Sequence, residues 1–130
     1  MKNMEKTSKA IEDYLEAFLM LEEKKTPLDI SSVASLLKVS MPAASQMANE
    51  LKALGYIEKE PYSDIVLTEK GRLLANMVYH RHKILCRYLE SIGVSADVAE
   101  ADCCQIEHVI SEETFKAIEK QLDGKESDQF

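Results

Sequence analysis

The chain has 130 residues, of which 45% are hydrophobic and 30% charged, with a formal net charge of −7. That length holds one or two small domains with a modest core, and the acidic balance argues against indiscriminate nucleic-acid binding while allowing a local basic footprint. No apolar run approaches a membrane span, and the charged start (Lys2, Glu5, Lys6, Lys9) lacks the apolar core of a signal peptide, so a cytoplasmic protein without membrane contact is expected.

The excess acid is uneven. Residues 1–72 carry 10 Lys+Arg against 12 Asp+Glu, and residues 73–130 carry 6 against 11. The cysteines Cys86, Cys103 and Cys104 are odd in number and two are adjacent. This is no disulfide framework; a reducing compartment with thiols free for metal fits better.

In chain order, residues 7–23 read as a helix with Ile11, Leu15, Phe18 and Leu19 as its apolar stripe and Ser8 as its cap. Asp13 and Glu16 sit at i, i+3 on it and by themselves read as solvated acids. Thr26-Pro27 breaks the pattern, Leu28 to Ile30 suits a very short strand, and Ser31-Ser32 offers a cap for a short helix with Val33, Ala34, Leu36 and Leu37 inward. After the turn Lys38-Val39-Ser40, Ser40 caps a further helix that tolerates Pro42 in its first turn and ends at Gly55. Two short helices joined this way suggest a helix-turn-helix. Its second helix is the reader, with Ala43, Ala44, Ser45 and Gln46 small or polar where base edges must come close, and Met47, Leu51 and Leu54 facing inward.

Tyr56 to Glu60, the turn signal Pro61 to Asp64 and Ile65 to Thr68 read as a two-stranded wing. Thr68 then caps a long helix to about Ile92, striped by Leu74, Val78, His82, Leu85 and Leu89. His82 on that apolar face reads by itself as a hydrogen-bonded core residue. Gly93 ends the helix, a further helix is expected over Ala96 to Ile110, and Ser111-Glu112-Glu113 opens a last one reaching about Leu122. The polar end, 124–130, is expected to fray.

On the Ala96–Ile110 helix, Glu100, Cys104, Glu107 and His108 fall at i, i+4, i+7 and i+8 and share one face. Two carboxylates, a thiol and an imidazole can together hold a divalent transition metal; the plain alternative is a solvated polar face. Cys103 points elsewhere and reads as a small packing residue.

Several short stretches resemble the diphtheria-toxin-repressor and manganese-transport-regulator family of metal-dependent repressors. Glu12-Asp13-Tyr14-Leu15-Glu16 is similar to the family's first-helix E-D-Y-x-E. Ser40-Met41-Pro42-Ala43-Ala44-Ser45-Gln46 is similar to the reader pattern S-x-P-x-x-S-Q. Leu67-Thr68-Glu69-Lys70-Gly71 resembles the wing exit L-T-x-x-G, a pattern many winged helices share. Arg81-His82-x-x-Leu85 resembles the segment bearing the metal histidine, and Cys104-Gln105-Ile106-Glu107-His108 resembles C-x-x-E-H. The resemblance runs from about residue 8 to 122.

It implies a mainly α fold: an N-terminal winged helix-turn-helix with a small β-hairpin wing over 1–72, then an all-helical dimerisation and metal-binding domain over 73–123, with a flexible tail at 124–130. It implies Asp13, Glu16, His82, Cys104, Glu107 and His108 as metal ligands, to which the shared helix face adds Glu100 as a candidate, and Ser40, Pro42, Ala43, Ser45 and Gln46 as DNA-facing residues. Cys104 stands where the iron branch has Cys and the manganese branch Glu, whereas Asp13 matches the manganese branch. Cys86 sits where both usually have Glu, and Glu100 where the iron branch has a second His. The family's optional C-terminal SH3-like domain is expected to be missing.

The expected function is a repressor of metal-uptake genes that binds double-stranded operator DNA as a homodimer loaded with Mn(II) or Fe(II), with Co(II), Ni(II) or Zn(II) able to substitute in vitro. One ion is expected to tie the first helix to the later ones. The rival is a metal-independent winged-helix factor sensing another ligand, whose DNA binding ignores chelators. An enzyme is not expected, because the chain has no H-E-x-x-H, phosphate loop or nucleophile elbow.

Overall fold

The computed structural model describes the backbone of residues 8–60 and 64–128, and side chains as far as residue 124. The chain divides into two compact units, residues 1–77 and 78–130. Among the described residues no helix is long and apolar enough to cross a membrane.

The first unit opens with α1 (Lys9–Glu23), whose N-cap Ser8 accepts a hydrogen bond from the Ile11 amide at 3.2 Å. Its inward face is Tyr14, Leu15, Phe18 and Leu19, with Ile11 only half-buried. The strand expected at Leu28–Ile30 is absent: Leu28 gives a single backbone bond, from its carbonyl to the Ile65 amide, and Ile30 already starts a helix. That helix, α2 (Ile30–Leu37), is capped by Asp29, not by the serines expected there; the Asp29 carboxylate accepts from the Ser32 amide at 2.7 Å. A carboxylate at this position also meets the positive end of the helix dipole.

Lys38 takes a left-handed conformation (φ 58°) and turns the chain. α3 (Met41–Ala53) follows with Ser40 as cap and Pro42 in the first turn, and Gly55 (φ 87°) lies just past its end. α3 buries Ala44, Ala48 and Leu51. Leu54, expected inward, is the C-cap and is exposed. Ala44 and Ala48 are buried, which leaves Ala44 no access to a ligand.

The wing is shorter than the sequence suggests. β1 (Ile57–Glu58) pairs antiparallel with β2 (Val66–Leu67), Ile57 opposite Leu67 and Glu58 opposite Val66. Ile57 and Leu67 are buried while Glu58 and Val66 are exposed, the alternation of a half-buried ribbon. Of the turn expected at Pro61 to Asp64, residues 61–63 lie outside the described residues. The exit from the wing is tightly made. The Thr68 hydroxyl donates to the Gly55 carbonyl (2.6 Å) and accepts from the Gly71 amide (3.0 Å), and a Cβ on Gly71 would overlap the Tyr56 carbonyl.

α4 (Glu69–Ser91) gives its first turns to the first unit, where Arg72 forms a two-pronged ion pair with Glu22 (2.8 and 2.9 Å). The remainder of α4 joins α5 (Ala96–Ile106) and α6 (Glu112–Asp128) in the second unit. Ile84, Leu85, Cys103, Phe115 and Leu122 form its core, with Leu89, Ile106, Ile110 and Ile118 packed against them. Large apolar side chains buried this way contribute roughly 1.5–3 kcal/mol each. His80 and Glu119 meet at 2.7 Å, and this hydrogen bond holds the Glu119 carboxyl below its ordinary range.

Two ends differ from the sequence expectation. α5 stops at Ile106, not Ile110, with Glu107 as its C-cap and His108 in the turn beyond. α6 continues past Leu122 to Asp128.

Candidate metal centre and DNA-reading surface

In the first unit, Ser40, Pro42, Ala43, Ser45 and Gln46 are all exposed. The sequence-expected reader residues thus occupy the open side of α3, with Asn49 exposed one turn further on. α1 places Asp13 half-buried, accepting from Lys9 at 2.8 Å, and places Glu16 in a buried position.

In the second unit, the structure gathers the ligand candidates around His82. Its Nδ1 lies 2.8 Å from Glu107 Oε1, and its Nε2 lies 3.0 Å and 3.2 Å from the two oxygens of Glu100. The Glu107 side chain is fully buried. Its second oxygen, Oε2, has no hydrogen-bond partner among the described residues, and His108 Nε2 stands 3.4 Å from it. Cys104 donates to Glu100 Oε2 at 3.4 Å. His82, Glu100, Cys104, Glu107 and His108 are therefore linked in one chain of contacts.

The linkage does not arise from a continuous helix face. α5 ends between Cys104 and Glu107, and the turn after it brings Glu107 inward toward His82. Arg81, next to His82, holds this turn: its guanidinium donates to the Glu107 carbonyl (3.4 Å), the Ile110 carbonyl (3.3 Å) and the Glu112 carboxylate (2.8 Å). It also lies over the Phe115 ring at 5.3 Å. The Arg-His pair thus has two jobs: the arginine fixes the turn and the histidine faces what the turn presents.

The cysteine expectation needs correction. Cys86 and Cys103 are joined as a disulfide, and Cys104 lies outside that bridge. Their spacing of 17 residues gave no hint that these faces of α4 and α5 meet. Cys103 is fully buried in the core, as its packing reading expects, but it also touches His82, with Sγ 3.4 Å from Nδ1. Cys86, one helical turn after His82, carried the signal that sequence reasoning left unused: i, i+4 placement beside an imidazole.

Chemically, a buried carboxylate with an unsatisfied oxygen is costly unless something positive meets it. The set of imidazole, carboxylate and thiol donors suits a divalent transition ion.

The comparisons with known proteins agree with this architecture. Residues 6–65 match the N-terminal DNA-binding domain of the iron-dependent repressors, and residues 68–129 match their metal-binding and dimerisation domain. The chain belongs to this family of metal-dependent transcriptional regulators. It is 36% identical over 113 residues to an uncharacterised HTH-type transcriptional regulator of Methanocaldococcus jannaschii, covering 85% of this chain and 90% of that one. It is 33% identical over 105 residues to the transcriptional regulator MntR of Bacillus subtilis, covering 81% and 74%. Among solved structures, the manganese regulator SloR superposes with a TM-score of 0.76 at 27% identity, over 87% of this chain and 53% of that one. The chain thus spans about half the length of that solved relative.

Proposed function

We propose that the chain is a cytoplasmic, metal-dependent repressor that binds operator DNA as a homodimer loaded with Mn(II) or Fe(II), and that it controls metal-uptake genes. The observation that carries the reading is Glu107: a fully buried carboxylate with one oxygen that accepts no hydrogen bond, beside His82 and His108 and within the family's metal-binding domain. The ligands proposed are His82, Glu100, Cys104, Glu107 and His108, with Asp13 and Glu16 added on the strength of the sequence resemblance.

A bound divalent ion supplies the positive charge that these carboxylates otherwise lack. The chain's residues do the rest. Glu107 and Glu100 hold the His82 ring between them, fixing its orientation. Arg81 keeps the Glu107–His108 turn from relaxing outward. Ser45 and Gln46, exposed on α3, face base edges, while Ser40 and Pro42 set the start of the reader helix against the backbone. In a homodimer the two readers would address half-sites about one DNA turn apart. The relatives' names support manganese or iron; the oxygen-rich donors favour Mn(II), and the Cys104 thiol pulls toward Fe(II) and later metals.

The test begins by selecting bound duplexes from a random pool in the presence of Mn(II). Their affinity is then measured with Mn(II), with Fe(II) under anaerobic conditions, and with chelator. Tight binding with metal and weak binding with chelator is expected. Equal affinity in all three would exclude the metal switch and favour a regulator of another ligand.

A further inference from the structure

In the second unit, Cys86 on α4 and Cys103 on α5 are joined across a Cα–Cα distance of 5.8 Å, ordinary for a bridge. The bridge lies at the edge of the metal centre. Cys86 is one helical turn after His82, and its Sγ lies 3.7 Å from His82 Nε2 and 3.9 Å from Glu100 Oε1. Cys103 directly precedes Cys104, and its Sγ lies 3.4 Å from His82 Nδ1 and 3.5 Å from the Glu100 carbonyl oxygen. The loop that the bridge closes runs through the turn at Gly93 and carries Glu100. Neither cysteine belongs to the ligand set proposed above.

We infer that Cys86 and Cys103 are a reversible oxidation site whose disulfide clamps α4 to α5 and presets the metal centre, so that oxidation raises and reduction lowers the affinity for its ion. Disulfides in a reducing cytoplasm are mostly transient and redox-sensing. The two sulfurs are unequal in the way such a pair requires: Cys86 is half-buried and open to an oxidant, whereas Cys103 is sealed in the core and can only resolve what forms on Cys86. The clamp acts on the ligands through their helices. His82 stands on α4, Glu100 and Cys104 stand on α5, and Glu107 is the α5 C-cap. An ion that takes ligands from both helices must hold them in register. Fixing that register beforehand removes part of the ordering cost from binding. With the bridge open, α4 and α5 are held together by the apolar core and by the Arg81 contacts to the turn after α5.

The chemistry balances. With hydrogen peroxide, the Cys86 sulfur attacks one peroxide oxygen, giving a sulfenic acid and releasing water. The Cys103 sulfur then attacks the Cys86 sulfur, the S–S bond forms and a second water leaves. Two thiols lose two electrons and two protons, and the peroxide is reduced to two waters. A small dithiol reverses the bridge by exchange.

The inference rests on the metal dependence proposed for the chain, and its test separates the two. The full chain is prepared metal-free in two states: reduced, then freed of reductant without air, and treated with equimolar hydrogen peroxide. The treated chain should be lighter by two hydrogens, with Cys86 joined to Cys103 in the fragmented peptide map, and dithiothreitol should restore the starting mass. Its metal-free melting temperature should rise by about 10 °C, the shift expected from closing a loop of this size. Each state is then titrated with Mn(II), an ion for which thiols are poor donors. The bridged chain is expected to bind about tenfold more tightly, the lower end of what supporting contacts around a metal ligand contribute. Cys86→Ser, a substitution at a half-buried position, should bind like the reduced wild type before and after peroxide. Equal, measurable affinity in the reduced and bridged wild type would overturn the inference alone, as would a treated chain in which Cys86 stays unbridged. A peroxide effect that persists in Cys86→Ser would place the oxidation on Cys104 and overturn it too. No Mn(II) binding in either state, despite the bridge and the melting shift, would sink the metal dependence and the inference with it. Should Cys86→Ser fail to fold, the reduced and bridged wild type decide by their affinities and peptide maps.

Discussion

Glutamine in place of Glu107 keeps the shape of the side chain and its contact with His82 but removes a buried negative charge. Without metal, that change relieves a desolvated carboxylate oxygen, so the metal-free protein should unfold at the same temperature or higher. With metal, it deletes a charged donor. Affinity should fall by at least about tenfold, the lower end of what even indirect metal partners contribute, and the stabilisation gained on adding Mn(II) should shrink with it. Calorimetric melting with and without Mn(II) reads both effects; a variant that is destabilised equally in both conditions would make Glu107 a structural residue. Cys104→Glu probes the other side of the centre. It replaces a thiol with an oxygen donor next to Glu100 and should move the DNA-binding response toward Mn(II) and away from later metals. At this scale the sequence was readable where chemistry is carried by residue type. His82, Glu107 and His108 were identified as candidates from motif likeness, and they do lie together. Cys103 was read as packing alone because its contact with Cys86 and His82 depends on which helix faces meet, a tertiary fact that no local spacing contains.

Elements were legible where a local device marks them. Ser8, Ser40 and Ser111 each accept from the backbone amide three residues on, as cap residues should. Asp29 does the same but was passed over because two serines follow it. The end of α5 was misplaced because nothing between Cys104 and Ile110 breaks a helix; Arg81, 26 residues before Glu107, holds that turn instead. The L-T-x-x-G motif has a direct physical basis in the Thr68 hydrogen bonds and in the contact of Gly71 with the Tyr56 backbone. Gly71→Ala should therefore cost more than a helical glycine usually does, about 1–3 kcal/mol from overpacking, against the gain that alanine normally brings to a helix. Urea unfolding checks the sign; a more stable variant would show that the wing exit yields easily. The Arg72–Glu22 pair makes a pH-dependent contribution in the same unit. Its hydrogen bond holds the Glu22 carboxyl below its ordinary range. The stabilisation is thus full above the unfolded carboxylate pKa and is lost as pH falls through the lower folded one. With the side chains 45% and 32% exposed, the pair is worth only up to about 1 kcal/mol after solvent screening. Arg72→Gln should lose that amount near neutrality, and the gap to the wild type should close in acid. A gap that stays constant down to acid pH would mean the arginine acts through packing.

For the whole molecule, the proposed switch is a coupling between two binding events, and coupling is reciprocal. If metal at the His82–Glu107 centre raises DNA affinity by some factor, DNA must raise metal affinity by the same factor. The ion shifts the protein only as far as it prefers the DNA-competent form, so tight metal binding without such preference would change nothing. Couplings of this kind span about 5- to 150-fold. That bound makes the expectation quantitative. The Mn(II) dissociation constant should be measured with the selected duplex absent and at saturation, and the duplex affinity measured with Mn(II) absent and at saturation, all at one salt concentration because phosphate contacts make DNA affinity steeply salt-dependent. The two ratios should agree. Glu107→Gln should lower metal affinity while leaving DNA binding in chelator unchanged, since the reader residues Ser45 and Gln46 lie on α3 in the other unit. Gln46→Ala should do the converse, weakening DNA binding in both conditions by a similar factor and leaving metal affinity in the absence of DNA where it was. If metal and DNA affinities prove independent, with both ratios near one, the two domains bind their ligands separately. The buried carboxylate centre would then be a store or a scaffold for an ion, and not a sensor of it.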